Sequence, residues 1–168
     1  MSGFAALGCN PNARWTVDLT NPAQPKIEGD NPGSATALGT LAYSPDGGMF
    51  LCVQADGAIA EGDLCQIENG FQIDQATTAS PLGSIIGVAT AAFANNEYGW
   101  VQVFGKSRVQ VNSGSNHAAS IRVSIGDDGE IANASNDTDT VSGITTSASS
   151  GADGRLTDCF LFFPKKVS

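Results

Sequence analysis

The chain has 168 residues and a mass of 17.2 kDa, a length suited to one domain or to one domain with an arm, and sufficient to bury roughly 68–70% of its unfolded surface. With 15% charged and 41% hydrophobic residues, 20 Gly and 7 Pro, the composition is that of a turn-rich, globular, all-β protein and excludes a disordered or coiled-coil chain. A net charge of −9 removes the cationic surface that phosphate contacts need, so no nucleic-acid partner is expected.

The charge is unevenly spread. No Lys or Arg lies between Lys26 and Lys106, a stretch that carries Glu28, Asp30, Asp46, Asp56, Glu61, Asp63, Glu68, Asp74 and Glu97. Those acids form either a solvated face that aids solubility or a surface matched to a basic partner. Cys9, Cys52, Cys65 and Cys159 show neither C-x-x-C spacing nor the density of a secreted scaffold, and are expected to be free thiols in a reducing compartment. No basic segment followed by an apolar run opens the chain, and no apolar run approaches the roughly 18 residues that cross a bilayer; a soluble protein with no membrane partner is expected.

In chain order, residues 1–45 hold five of the seven prolines and lack a sustained apolar period, which predicts an extended N-terminal arm. Within it Trp15, Val17 and Leu19 alternate with polar residues, as one short strand added to another sheet edge would. Residues 46–168 read as a β domain. Met49–Gln54 is a compact apolar run, and Leu64–Ile67 and Phe71–Asp74 flank Asn69-Gly70, a strong hairpin signal. Ile85–Phe93 is apolar apart from Thr90. Period-two alternation on both sides of Gly105 predicts a bent or hairpinned pair over Gly99–Phe104 and Val109–Val111. Ile121, Val123 and Ile125 repeat it before the turn at Asp128-Gly129. No ten-residue window carries a helical stripe, so at most one or two short helices are expected, with Asn116–Ser120 a candidate. A shift of 59 residues lays Tyr98–Lys106 onto Thr157–Lys165 and Asn69-Gly70 onto Asp128-Gly129, suggesting two repeated β halves over about 55–106 and 114–165. Sandwich, jelly roll and small barrel all satisfy this pattern.

Chemistry is sparse. His117 is the only histidine and sits in a polar loop with no nucleophile elbow nearby, so a catalytic triad is not expected. The cysteines are separated by 43, 13 and 94 residues, unlike the close pairs of structural zinc sites. The acidic clusters Asp127–Glu130 and Asn136–Asp139 do not match a calcium loop, and no glycine-rich phosphate loop occurs. The chain is therefore expected to be no enzyme, with no cofactor and no metal, and to act through its surface.

The runs Ala55-Asp56-Gly57-Ala58-Ile59-Ala60-Glu61-Gly62-Asp63-Leu64, Gly83-Ser84-Ile85-Ile86-Gly87-Val88-Ala89 and Tyr98-Gly99-Trp100-Val101-Gln102-Val103-Phe104-Gly105 resemble motifs of the head decoration, or cement, proteins of tailed bacteriophages. The similarity spans roughly residues 50–165. It implies a small β domain that trimerises on the outer surface of an icosahedral head and ties major capsid protein subunits together, with synthesis in a bacterial cytoplasm. On that basis the capsid contacts are expected in the arm at Trp15, Val17 and Leu19, with Trp15 as anchor. Two rivals remain at this level: a carbohydrate-binding or adhesion module using an exposed Trp100, and a tail component of a virion.

Overall fold

The computed structural model describes residues 15–18, 26–29, 37–112, 123–126, 128–132, 139–146 and 155–168. Every regular element among them is a strand: β1 (Trp15–Asp18), β2 (Lys26–Gly29), β3 (Leu41–Tyr43), β4 (Met49–Ala55), β5 (Leu64–Ile67), β6 (Gln72–Gln75), β7 (Ile85–Ala89), β8 (Tyr98–Val111), β9 (Val123–Ile125), β10 (Ile131–Ala132), β11 (Thr140–Thr146) and β12 (Arg155–Lys166). The protein is all-β, as its composition predicts. The short helix expected near Asn116–Ser120 lies outside the described residues.

The strands close two rings. β4, β6, β5, β7 and β8 pair in that order and return to β4, while β8, β10, β9, β11 and β12 pair in order and return to β8. Of the three architectures open to the sequence, the small barrel is the one built, twice, with β8 common to both. Closure removes the exposed sheet edges that short strands would otherwise present. The two rings use the same wiring. Each has one parallel pair, β4–β6 at Gln54↔Gln72 and β8–β10 at Val111↔Ile131, and one hairpin, turning through Asn69-Gly70 or Asp128-Gly129.

β8 serves both rings because it is 14 residues long and bends at Gly105, where φ is +97°. A Cβ at Gly105 would lie 2.9 Å from the Gly48 Cα, so only glycine allows this approach. The two alternating segments seen in the sequence are thus one bent strand rather than a hairpin.

Alternation along β5 and β7 sends side chains into two cores. Leu64, Ile86 and Val88 join Val109, Val111, Val123, Ile131, Ile144 and Leu161 on the second ring's side. Cys65 and Ala89 join Val53, Ile73, Phe93 and Val101 inside the first ring. A third cluster packs Ala42, Phe50, Cys52 and Trp100 together with Leu38 on the outside of β4. β3, inside the Pro-rich stretch assigned to the arm, is therefore part of the domain: Leu41, Ala42 and Tyr43 pair with Leu51, Phe50 and Met49.

Polar contacts stitch the rings where β5 begins. The Leu64 N–H donates to the Gly129 carbonyl at 2.7 Å, and the Gln110 N–H to the Gly62 carbonyl at 2.9 Å. The buried Asp63 carboxylate accepts from the Ala60 N–H at 2.9 Å and from Gln75 Nε2 at 2.7 Å, and the same Gln75 amide donates to the Asp128 carbonyl. Burial raises the Asp63 pKa above its ordinary 3.8, the two hydrogen bonds oppose that shift, and Asp128 adds to it. The fold therefore favours the protonated carboxyl, whose contribution to stability is full below the unfolded-state pKa and is lost as pH rises through the folded-state pKa. The stability of the parent relative to Asp63→Asn is expected to fall as pH is raised from below 3.8 toward neutrality. Urea unfolding at stepped pH checks this; a relative stability that climbs with pH would contradict it.

Candidate docking surface and adjoining cleft

β12 begins as a regular half-buried strand. Thr157, Cys159 and Leu161 point inward, while Asp158, Phe160 and Phe162 point out. The alternation then breaks, because Phe163 adopts φ +46° and also faces outward, after which Pro164 is buried, Lys165 exposed and Lys166 buried. Opposite it, the β11–β12 register slips between Ser142 and Ile144 at Gly143, where φ is +83°. A Cβ on Gly143 would sit 2.6 Å from the Phe162 carbonyl oxygen, so glycine is required for this bulge.

The result is two adjacent exposed phenylalanines. Phe160, Phe162 and Phe163 are 43%, 65% and 50% exposed. Their rings surround Phe104 of β8, with centroids 5.6, 5.5 and 5.5 Å from its ring, and Phe160 meets Phe104 edge-on. Edge and tilted contacts of this kind fix ring orientations without hiding the rings from water. Ile85, 55% exposed, lies across from Lys165 in the β7–β12 register. Together these rings form an exposed apolar patch with a bulky residue in the left-handed region at its centre.

Charges of both signs lie around the patch. The cations whose side chains are described, Lys106, Arg108, Lys165 and Lys166, are all carried by β8 and β12. Asp158 on β12, Glu61 beside Arg108 and Asp46 near Lys106 accompany them, and further acids crowd at the β4–β6 side, where burial together with Asp56 and Glu68 raises the Asp74 pKa. A partner fitting the patch would be apolar at its centre and polar, with charges of both signs, at its rim.

Beside the aromatics, a cleft of about 290 Å³ lined by Glu61, Thr90, Gln102 and Arg108 adjoins one of about 460 Å³ lined by Thr145, Thr146 and Phe160. Lys106, Ser107 and Asp158 line both. Register sets this up: Arg108 pairs with Asp158, Lys106 with Phe160, and Phe160 with Thr145 across β8, β12 and β11. Arg108 also bonds Glu61 at 3.3 Å.

The arm residues fall elsewhere. Trp15 and Val17 lie on β1, which pairs with β2 and reaches β8 at Trp15↔Tyr98; Leu19 is outside the described residues. Tyr98 and Phe104 are separated by roughly 20 Å along β8, so the hairpin and the aromatic patch are distinct places on the molecule. Trp100, expected to be exposed if the protein held sugars through it, is instead 4% exposed, packed among Ala42, Phe50 and Cys52, because β3 covers that face. Cys52, Cys65 and Cys159 are buried and form no disulfide, as expected of thiols at strand positions, and burial with the neighbouring Asp158 pushes the Cys159 thiol up to about 12. Cys9, His117, Asp127 and Asn136–Thr138 lie outside the described residues. Among the described residues no group of His, Cys, Asp and Glu could hold a metal. Sequence reasoning did not single out Phe104, Phe160, Phe162 or Phe163. The available signal was the Phe162-Phe163 pair, which interrupts a period of two.

No family model and no curated protein matches the chain. Among solved structures it is similar to the N base of the head fiber gp8.5 of bacteriophage phi29, at 15% identity and a TM-score of 0.49, over 71% of this chain and 97% of that one. The class of protein defined by the described residues of this chain is an all-β scaffold with an exposed aromatic patch on β8 and β12.

Proposed function

We propose that the chain is a structural protein of a tailed-bacteriophage head, a decoration protein without enzymatic activity that docks on the outer surface of the shell and ties major capsid protein subunits together. The observation that carries this reading is the Phe160–Phe162–Phe163 surface, kept exposed by a strained bulge and rimmed by Lys106 and Lys165. The sequence motifs that resemble cement proteins support it, since they make the β4–β5 connection, β7 and the first half of β8, and so build the first ring. The acidic bulk of the chain suits a face turned away from DNA. The N-terminal segment, with Trp15, Val17 and Leu19, supplies a second contact, and a homotrimer engaging several capsid subunits at once would turn modest contacts into firm attachment.

The test mixes purified protein with expanded empty heads that lack it, sediments them to count bound copies, and heats bare and decorated heads side by side. Stoichiometric binding with a raised disruption temperature is expected, and deletion of residues 1–20 is expected to lower occupancy while the β domain stays folded by circular dichroism. No cosedimentation of the parent protein would overturn the proposal, and full occupancy by the truncated protein would remove the arm from it.

A further inference from the structure

We infer that the paired clefts across β8 and β12 form a binding groove for a neutral pyranose sugar. The lining narrows the ligand chemistry by exclusion. A simple anion entering near Lys106 and Arg108 would also face the carboxylates of Glu61 and Asp158, and a cation would face both basic groups. An apolar ligand would strip water from four charged side chains with nothing in return. A polyhydroxylated neutral ligand fits all of them, since its hydroxyls accept from Lys106 and Arg108 and donate to Glu61 and Asp158 as charge-assisted hydrogen bonds.

The second cleft provides what a sugar ring needs besides hydroxyl partners. Phe160 stands in its wall with 43% of its surface exposed, opposite Lys106 and Thr145 in the strand register. Its edge-on contact with Phe104 holds the ring in place, offering a preformed face for the C–H side of a pyranose. The combination of an aromatic platform with a few convergent polar groups is that of a small-ligand site, and it uses neither Trp100 nor the Phe162–Phe163 bulge.

The experiment is a titration of the ¹⁵N-labelled full chain with methyl glucoside, methyl galactoside and N-acetylglucosamine, each to about 10 mM, the range where weak single-sugar binding registers. Saturable amide shifts are expected at residues 106–108, 145–146 and 158–160 for at least one of the three. The double variant Arg108→Ala/Asp158→Asn should weaken that binding by about tenfold or more. Its fold should survive because the Arg108–Glu61 pair is solvent-exposed and contributes little to stability. Phe162→Ser, outside the cleft, should leave the sugar titration unchanged. No saturable shift with any of the three sugars, or shifts confined to residues 162–163, would overturn the inference. The shell assay separates this result from the head-protein reading, because the double variant keeps its aromatic patch and should still decorate heads.

Discussion

Replacing Phe163 with glycine is expected to leave the protein at least as stable as the parent while cutting its affinity for the shell by about thirtyfold, the loss of roughly 2 kcal/mol that follows removal of an aromatic anchor. The two effects have different origins. At φ +46° a phenylalanine carries a left-handed strain of about 1–2 kcal/mol that glycine does not, and this relief offsets the lost ring contacts with Phe104 and Phe162. Phe163 is half exposed, so little of its apolar surface is protected by folding in the first place. Binding, by contrast, depends on the ring itself. Phe162→Ser, at the most exposed ring of the cluster, should lose affinity to a similar degree with an unchanged melting temperature. Urea unfolding and cosedimentation with empty heads on the same protein preparations check both halves. A Phe163→Gly protein that melts well below the parent would show that the bulge stabilises the fold, and one that binds normally would remove the patch from the docking surface.

That surface was poorly legible in the sequence for a physical reason. Alternation identifies a strand but does not say which face meets a core, so Cys159-Phe160-Leu161-Phe162 reads equally well with either set inward. The decision is made by Leu161, which fills the core of the second ring with Ile144 and Val141, and by a left-handed residue that no propensity rule places on phenylalanine. The strands themselves were legible wherever a turn signal bounded them: β5 spans Leu64–Ile67 as read, and the Asn69-Gly70 and Asp128-Gly129 turns join the pairs expected of them. Ile85–Phe93 reads as one apolar run, but β7 stops at Ala89, and Phe93 instead bridges to Ile59 and joins the core of the first ring. Gly105 marked a bend without showing that one strand continues through it. Ring closure is a long-range property: the parallel pairs β4–β6 and β8–β10 join segments whose local patterns hold no record of each other. The cleft escaped notice for the same reason, since Glu61, Arg108 and Asp158 meet only through the β8–β12 register and the β4–β5 turn.

Lys166→Ala is expected to be the most destabilising single change at a polar side chain, at about 3 kcal/mol, or roughly 6–12 °C in melting temperature for a domain of this size. Lys166 is buried at the end of β12, where its Nζ pairs with Asp139 Oδ1 at 3.0 Å and donates to the Thr78 carbonyl. Its backbone is held as tightly: its N–H donates to the Ser84 carbonyl, and its own carbonyl accepts from the Gly83 N–H. One residue thus joins the 78–84 loop of the first ring to β11 and β12 of the second. Alanine would leave Asp139 and the Thr78 carbonyl without their partner and open a void where the methylene chain lies. Lys166→Met should cost less, about 1–2 kcal/mol, because it refills that volume although it too leaves the Thr78 carbonyl without its donor, and Asp139, part of whose surface is in water, bears the loss of its partner cheaply in either variant. Added salt should leave the parent's stability nearly unchanged, since a lysine this buried is screened far less than an exposed pair. Thermal melts of the two variants at low and high salt make the distinction: equal losses for alanine and methionine would assign the stabilisation to charge, whereas a small methionine loss assigns it to packing. Because Lys166 fixes the strand end just past Pro164, the alanine variant should also lose shell binding at temperatures where it is still folded, and the methionine variant should not. That difference would show that the aromatic patch works only when the end of β12 is held rigid.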